Sequence, residues 1–132
     1  MSVAYTRKIS CFKEVYKLSV NVSVDKSKVF AIRIINLYKY LTSEKNEWVL
    51  SKQLLRSGTS IGANTREAVR GESRCDFYHK LNIALKEADE TAYWIELLYE
   101  SEYISKAQFD SIYKDCQELI CILVSITKTQ KK

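Results

Sequence analysis

The stretch that decides the fold is residues 73–101, SRCDFYHKLNIALKEADETAYWIELLYES. Its apolar side chains recur every three or four residues, which places them on one face of an α-helix. Ser73 can cap the first turn, and Asp76 stands where a capping box usually has Glu or Gln. We therefore predict a helix from about Ser73 to Ser101. Its core stripe consists of Phe77, Leu81, Ala84, Leu85, Ala88, Ala92, Ile95 and Tyr99.

Three more helices are predicted around this one. They run from about Asp25 to Ser43, from about Asn46 to Arg70, and from about Ser105 to Lys128. Apolar residues cover most of the circumference of the first, so it needs burial on two sides. Amphipathic helices joined by short links favour an up-down-up-down four-helix bundle. The predicted fold class is all-α, with the bundle spanning residues 24–132.

Residues 1–23 are weakly patterned and carry several cations. We expect an N-terminal tail that is flexible or loosely docked on the bundle. A short strand is the alternative, because Val20, Val22 and Val24 alternate with polar residues.

Composition narrows the class of protein. The chain has 132 residues, 46% of them hydrophobic, no proline and a net charge of +5, which suits one helical domain with a basic surface. No apolar run is long enough to span a membrane, and the N-terminus lacks the pattern of a secretory signal. The four cysteines form no C-x-x-C pair, which favours reduced thiols and a cytoplasmic location.

The residues that support catalysis or metal binding do not occur in the required combinations. His79 is the only histidine, and no nucleophile is suitably placed beside it. The acids Glu87, Asp89 and Glu90 lack the paired histidines of a di-metal bundle. The glycine-containing run at 57–63 has no lysine after it, as a phosphate loop requires. We therefore expect no enzyme activity, no cofactor and no metal.

The main candidate site is a row of cations on the second helix. Lys52, Arg56, Arg66 and Arg70 fall within about 40° of one line, opposite the apolar residues of the same helix. Such a row can contact successive phosphates of a nucleic acid, with help from Arg33 on the first helix. No aromatic platform is evident on this face, so base readout is not predicted.

Two other interpretations of the row remain open at this point. It can be an ordinary solvated face, or it can pair with an acidic third helix of a neighbouring molecule. Residues 72–101 have three cations against seven acids, whereas residues 46–70 have four cations against two acids. Helices of such opposite charge attract each other.

A second candidate surface lies on the third helix, away from its core stripe. Ile83, Trp94 and Leu97 stand there among acidic residues, and Tyr93 is next to Trp94. Apolar residues beyond one core indicate an interface, either with further copies of the chain or with a protein partner. The alternative function is therefore a protein-interaction scaffold that uses this face.

Three segments carry a resemblance to a known family. They are residues 33–39 (RIINLYK), residues 54–64 (LLRSGTSIGAN) followed by Glu67 and Ala68, and residues 76–94 (DFYHKLNIALKEADETAYW). The chain resembles, over about residues 25–128, the four-helix-bundle family named for 23S rRNA intervening-sequence proteins, also called S23. This family is similar to the accessory variability protein of diversity-generating retroelements.

The resemblance implies properties beyond the fold. It implies a ring-like homo-oligomer, most simply a pentamer, and a link to RNA or DNA and to a reverse transcriptase as partner. It also implies that the glycine-containing run is a packing element, with Ser60 and Asn64 as candidates for buried hydrogen bonds.

Overall fold

The computed structural model describes the backbone of residues 3–131 and the side chains of residues 16–130. This part of the chain contains four α-helices and no strand. They are α1 (Val3–Ser43), α2 (Leu50–Val69), α3 (Arg74–Glu100) and α4 (Lys106–Thr127), followed by a short 3-10 turn at Lys128–Lys131. Consecutive helices pack against each other, and α4 packs against α1. The prediction of an all-helical bundle is confirmed.

Helix α1 begins much earlier than the sequence pattern predicted. It continues without a break through Ser23 and Asp25, and the Ser23 hydroxyl donates to the Val20 carbonyl 2.6 Å away instead of capping a helix start. Val20 and Ser23 are buried, so the strand interpretation of this segment is wrong. The prediction of a flexible or loosely docked tail concerns mainly residues 1–15, whose side chains lie outside the described part of the chain.

Helices α1 and α2 approach each other most closely at a glycine. A Cβ placed on Gly58 would lie 2.8 Å from two side-chain carbons of Ile34, which is completely buried. At Gly62 the nearest atoms belong to Ser27 and are 3.3 Å away. The prediction of small residues for close helix packing is therefore confirmed.

A buried polar contact joins α2 to α3. The Thr91 hydroxyl lies 2.9 Å from the Ser57 hydroxyl and 2.7 Å from the Glu87 carbonyl oxygen, and Thr91 and Ser57 have no exposed surface. The family resemblance implies buried hydrogen bonds at Ser60 and Asn64. Their side chains donate instead to carbonyl groups within α2, from Asn64 to Ser60 and from Ser60 to Arg56. The Ser57 hydroxyl, on the buried side of α2, makes the interhelical contact instead.

The helix ends are fixed by side chains. The Ser73 hydroxyl accepts from the Asp76 N–H, and Ser105 forms a complete capping box with Gln108. Both predicted starts are confirmed to within one residue. Helix α2 begins at Leu50, four residues after the predicted start, because residues 46–49 are not helical and Asn46 has a left-handed backbone with φ 53°.

Candidate nucleic-acid interface

The predicted row of cations lies on the outer face of α2. The core side of this helix is buried at Leu54, Ile61 and Ala68, and Lys52, Arg56, Arg66 and Arg70 are all exposed. The orientation predicted for the row is therefore the one observed. By the rise of an α-helix, Lys52 and Arg70 lie about 27 Å apart along the axis.

Arg56, in the middle of the row, is engaged by acids of the same chain. Its guanidinium pairs with Glu87, 3.3 Å away, and with Glu90, both on α3. Basic α2 and acidic α3 therefore form ion pairs within one molecule, whereas the sequence suggested such pairing between neighbouring molecules. Among the side chains of residues 16–130, Lys52, Arg66 and Arg70 make no ion pair. The row is consequently divided into Lys52 at one end and Arg66 with Arg70 at the other.

Arg33 serves mainly to join α1 to α4. Its guanidinium pairs with Asp115 and donates to the hydroxyl of Ser111, 2.8 Å away. Lys26 makes a similar bridge to Glu118, two turns from Arg33 on α1 and one turn from Asp115 on α4. These side chains are partly exposed, so each bridge contributes little to stability. The contacts nevertheless direct the Arg33 charge toward α4 and away from the α2 row.

The turn between α2 and α3 gathers further cations. Arg70 directly follows α2 and Arg74 begins α3, with only three residues between them. The Arg74 guanidinium lies over the Tyr78 ring, 5.6 Å from its centroid. Nearby Lys80 pairs with Glu67 at 3.0 Å, which neutralises one acid of this region. Arg66, Arg70 and Arg74 therefore lie at the same end of the bundle, and Arg74 is absent from the predicted row because it belongs to α3.

The predicted interface residues Ile83, Trp94 and Leu97 are only partly exposed. Trp94 packs against the core, and its indole N–H is buried without a hydrogen-bond partner in the described part of the chain. Its neighbour Tyr93 is 53% exposed. The face therefore offers one exposed aromatic ring rather than a broad apolar surface.

A larger apolar surface occurs on α1. Val29 is 60% exposed and Ile32 is 52% exposed, and Leu18 and Ile35 also face solvent. We call these four residues the α1 apolar face. The apolar residues around most of the predicted first helix indicate such a surface, whereas the predicted interface residues lie on α3.

The described side chains contain no group of three metal-ligating residues. The thiols of Cys75, Cys116 and Cys121 are free. Burial, followed by the nearby charges of Asp89 and Glu96, raises the pKa of Cys116 to about 12, so this thiol is protonated at neutral pH. None of the helices in the described part of the chain has the length and apolarity needed to cross a membrane.

These features define a class of protein, a helical bundle with an exposed basic row and an exposed apolar helix face. A family model described as 23S rRNA-intervening sequence protein matches residues 20–125. The chain belongs to this family, as the sequence motifs indicated.

A solved structure agrees with this assignment. It is a protein of unknown function from the S23 ribosomal protein family of Bacteroides thetaiotaomicron VPI-5482. The two chains are 59% identical, with a TM-score of 0.82, over 83% of this chain and 98% of the other. No curated protein matches the chain.

Proposed function

We propose that this protein is a non-enzymatic, ring-like homo-oligomer of up-down-up-down bundles that binds RNA or another nucleic acid through α2. The single observation that carries the proposal is the set of exposed cations Lys52, Arg66 and Arg70, which have no acidic partner among the described side chains. The family name, which refers to sequences inserted in 23S rRNA, is consistent with an RNA partner. We also propose that the protein is located in the cytoplasm.

The charge pattern favours contact with phosphates. Arg66 and Arg70 are one helical turn apart, about 6 Å along the axis, so they can engage neighbouring phosphates of one strand. Lys52 lies about 21 Å from Arg66 along the helix and reaches a more distant part of the nucleic acid. Arg56 contributes less than its position in the row suggests, because Glu87 and Glu90 already neutralise it.

Self-association is supported by the α1 apolar face. Exposed valine and isoleucine gain roughly 25 cal/mol for each Å² of apolar surface removed from water. Val29 and Ile32 lie within one turn of each other on α1, the helix for which the sequence predicts burial on two sides. A ring multiplies the phosphate contacts, since every subunit carries its own row.

The test is size-exclusion chromatography with light scattering, with and without a structured RNA, at low and high salt. We expect an oligomer that binds RNA at low salt and releases it at high salt, because each phosphate contact displaces counterions. Charge reversal at Arg66 and Arg70 should weaken binding, whereas reversal of exposed Lys86 and Lys114 on other helices should have a smaller effect.

Two further variants test the assembly. Ile32→Glu on the α1 apolar face should reduce the oligomer mass, and Val69→Glu, at an exposed valine of α2, should leave it unchanged. RNA binding that persists at about 0.5 M salt contradicts the phosphate mechanism. An oligomer that ignores RNA would favour a protein-interaction scaffold using exposed Tyr93 beside Trp94.

A further inference from the structure

The turn between α1 and α2 exposes a large aromatic side chain that lies outside the cation row and the α1 apolar face. Trp48 is 60% exposed and Val49 is 73% exposed, at the end of the bundle where α2 begins. Tryptophan has a large apolar surface, so leaving it in water forgoes a substantial stabilisation. An exposed tryptophan in a short link is therefore a candidate contact for a partner.

The turn that carries Trp48 is held in one conformation by Glu47. This residue is buried, and its carboxylate accepts hydrogen bonds from the N–H groups of Val49, Leu50 and Ser51 at 3.0, 2.8 and 2.7 Å. The Glu47 N–H donates to the Leu41 carbonyl 3.0 Å away. Trp48 thus projects from a backbone that is fixed on both sides, and it loses little entropy when a ligand covers it.

Two lysines flank the tryptophan in the chain. Lys45 stands three residues before it and Lys52 four residues after it, in the first turn of α2. Both lysines are exposed. Of the two acids in this segment, Glu47 is committed to backbone N–H groups, which leaves Glu44 as the exposed one. The exposed surface around Trp48 therefore combines an aromatic ring and two cations with the apolar side chain of Val49.

We propose that Trp48 is a stacking platform for an unpaired base of single-stranded nucleic acid, with Lys45 and Lys52 contacting the adjoining phosphates. Every base presents a π-face, so stacking binds single strands with little sequence preference. Because Lys52 is also the first cation of the α2 row, a strand stacked on Trp48 can continue along that row. This inference rests on the proposed function and adds to it a preference for unpaired nucleotides.

A protein partner fits this surface less well. The charged groups that flank Trp48 in the chain are Lys45, whose ammonium lies over the Tyr40 ring, and Lys52, whereas the centre of a protein interface is depleted in lysine. Val49 is exposed and apolar but is a single small side chain. The N–H groups at the start of α2 are occupied by Glu47, so a phosphate or carboxylate cannot be captured there. Recognition then depends on the ring and the two ammonium groups, the combination typical of single-strand binding.

The experiment measures the fluorescence anisotropy of a labelled oligouridine of about 12 nucleotides, titrated with the full-length protein. Trp48→Ala should weaken binding by about fivefold or more, since stacking on an aromatic ring is lost. Trp48→Phe, which keeps a ring, should stay much closer to the parent. Tyr93→Ala is the matched control, because it removes an exposed aromatic residue of α3. Circular dichroism checks that each variant is folded.

A second measurement does not depend on removing Trp48. In a Trp94→Phe background Trp48 is the remaining tryptophan, and its emission should be quenched as the oligonucleotide binds. Unchanged affinity for Trp48→Ala, with no quenching, would overturn the stacking site. If charge reversal at Arg66 and Arg70 still weakened binding in that case, the proposed function would stand without it. Absence of binding to both oligouridine and structured RNA would reject both proposals.

Discussion

Replacing Gly58 by alanine tests the closest approach in the bundle. The added methyl group would lie 2.8 Å from Cγ1 and 2.8 Å from Cγ2 of Ile34, well inside van der Waals contact. Ile34 is completely buried, and its β-branched side chain has few alternative rotamers. The clash can therefore be relieved only if α1 and α2 move apart.

The expected magnitude follows from two opposing effects. Alanine is favoured over glycine in a helix interior by about 1 kcal/mol. Overpacking a well-filled core costs about 1–3 kcal/mol, and a clash with two atoms of a rigid neighbour lies at the upper end of that range. We expect Gly58→Ala to lower the free energy of unfolding by about 2 kcal/mol, from the difference of these terms.

The assay is chemical denaturation followed by circular dichroism, at one fixed protein concentration because self-association alters apparent stability. Gly62→Ala is the matched control, since its nearest atoms are 3.3 Å away and the change should be smaller. The double variant Gly58→Ala with Ile34→Ala should be more stable than the sum of the single effects, because the clashing atoms are gone.

A Gly58→Ala variant that is more stable than the parent would refute this reasoning. It would show that helix propensity outweighs packing, and that the two helices are not in tight contact at this point. If the stability effects of the two substitutions simply add, Gly58 and Ile34 do not interact, which would also contradict the reasoning.

Two further predictions concern buried hydrogen bonds. Burial by itself raises the pKa of the Glu47 carboxyl, but the N–H groups of Leu50, Ser51 and Val49 outweigh it and lower the pKa below its ordinary 4.5. Its contribution to stability is therefore present above about pH 4.5 and lost as the pH falls through the folded-state pKa; Glu47→Gln should flatten this part of a stability profile measured by thermal denaturation. Thr91→Val should cost about 1–3 kcal/mol in denaturation experiments, because it removes the hydroxyl that contacts Ser57, whereas Thr91→Ser should cost less. A flat acid profile in the parent or a neutral Thr91→Val would contradict these two expectations.

Local patterns in the sequence were sufficient for much of the fold. The spacing of apolar residues located α3 and α4, and Ser73 and Ser105 marked their starts, because helix periodicity and capping involve residues only three or four positions apart. Helix periodicity also predicted that Lys52, Arg66 and Arg70 lie on the outer face of α2. The sequence by itself thus determined α3, α4 and the direction of the candidate row, but not the start of α1 at Val3.

Only the tertiary structure decided which of these side chains remain available. Arg56 meets Glu87 and Glu90 because α2 packs on α3, a contact between residues 31 and 34 positions apart. No helical period relates such residues, so the charge counts of the two helices indicate an attraction but neither the residues that pair nor that they pair within one molecule. The exposure of Trp48 likewise depends on how the turn sits at the end of the bundle, held by the buried carboxylate of Glu47. Helix formation is a local property, whereas burial and ion pairing depend on which helices meet.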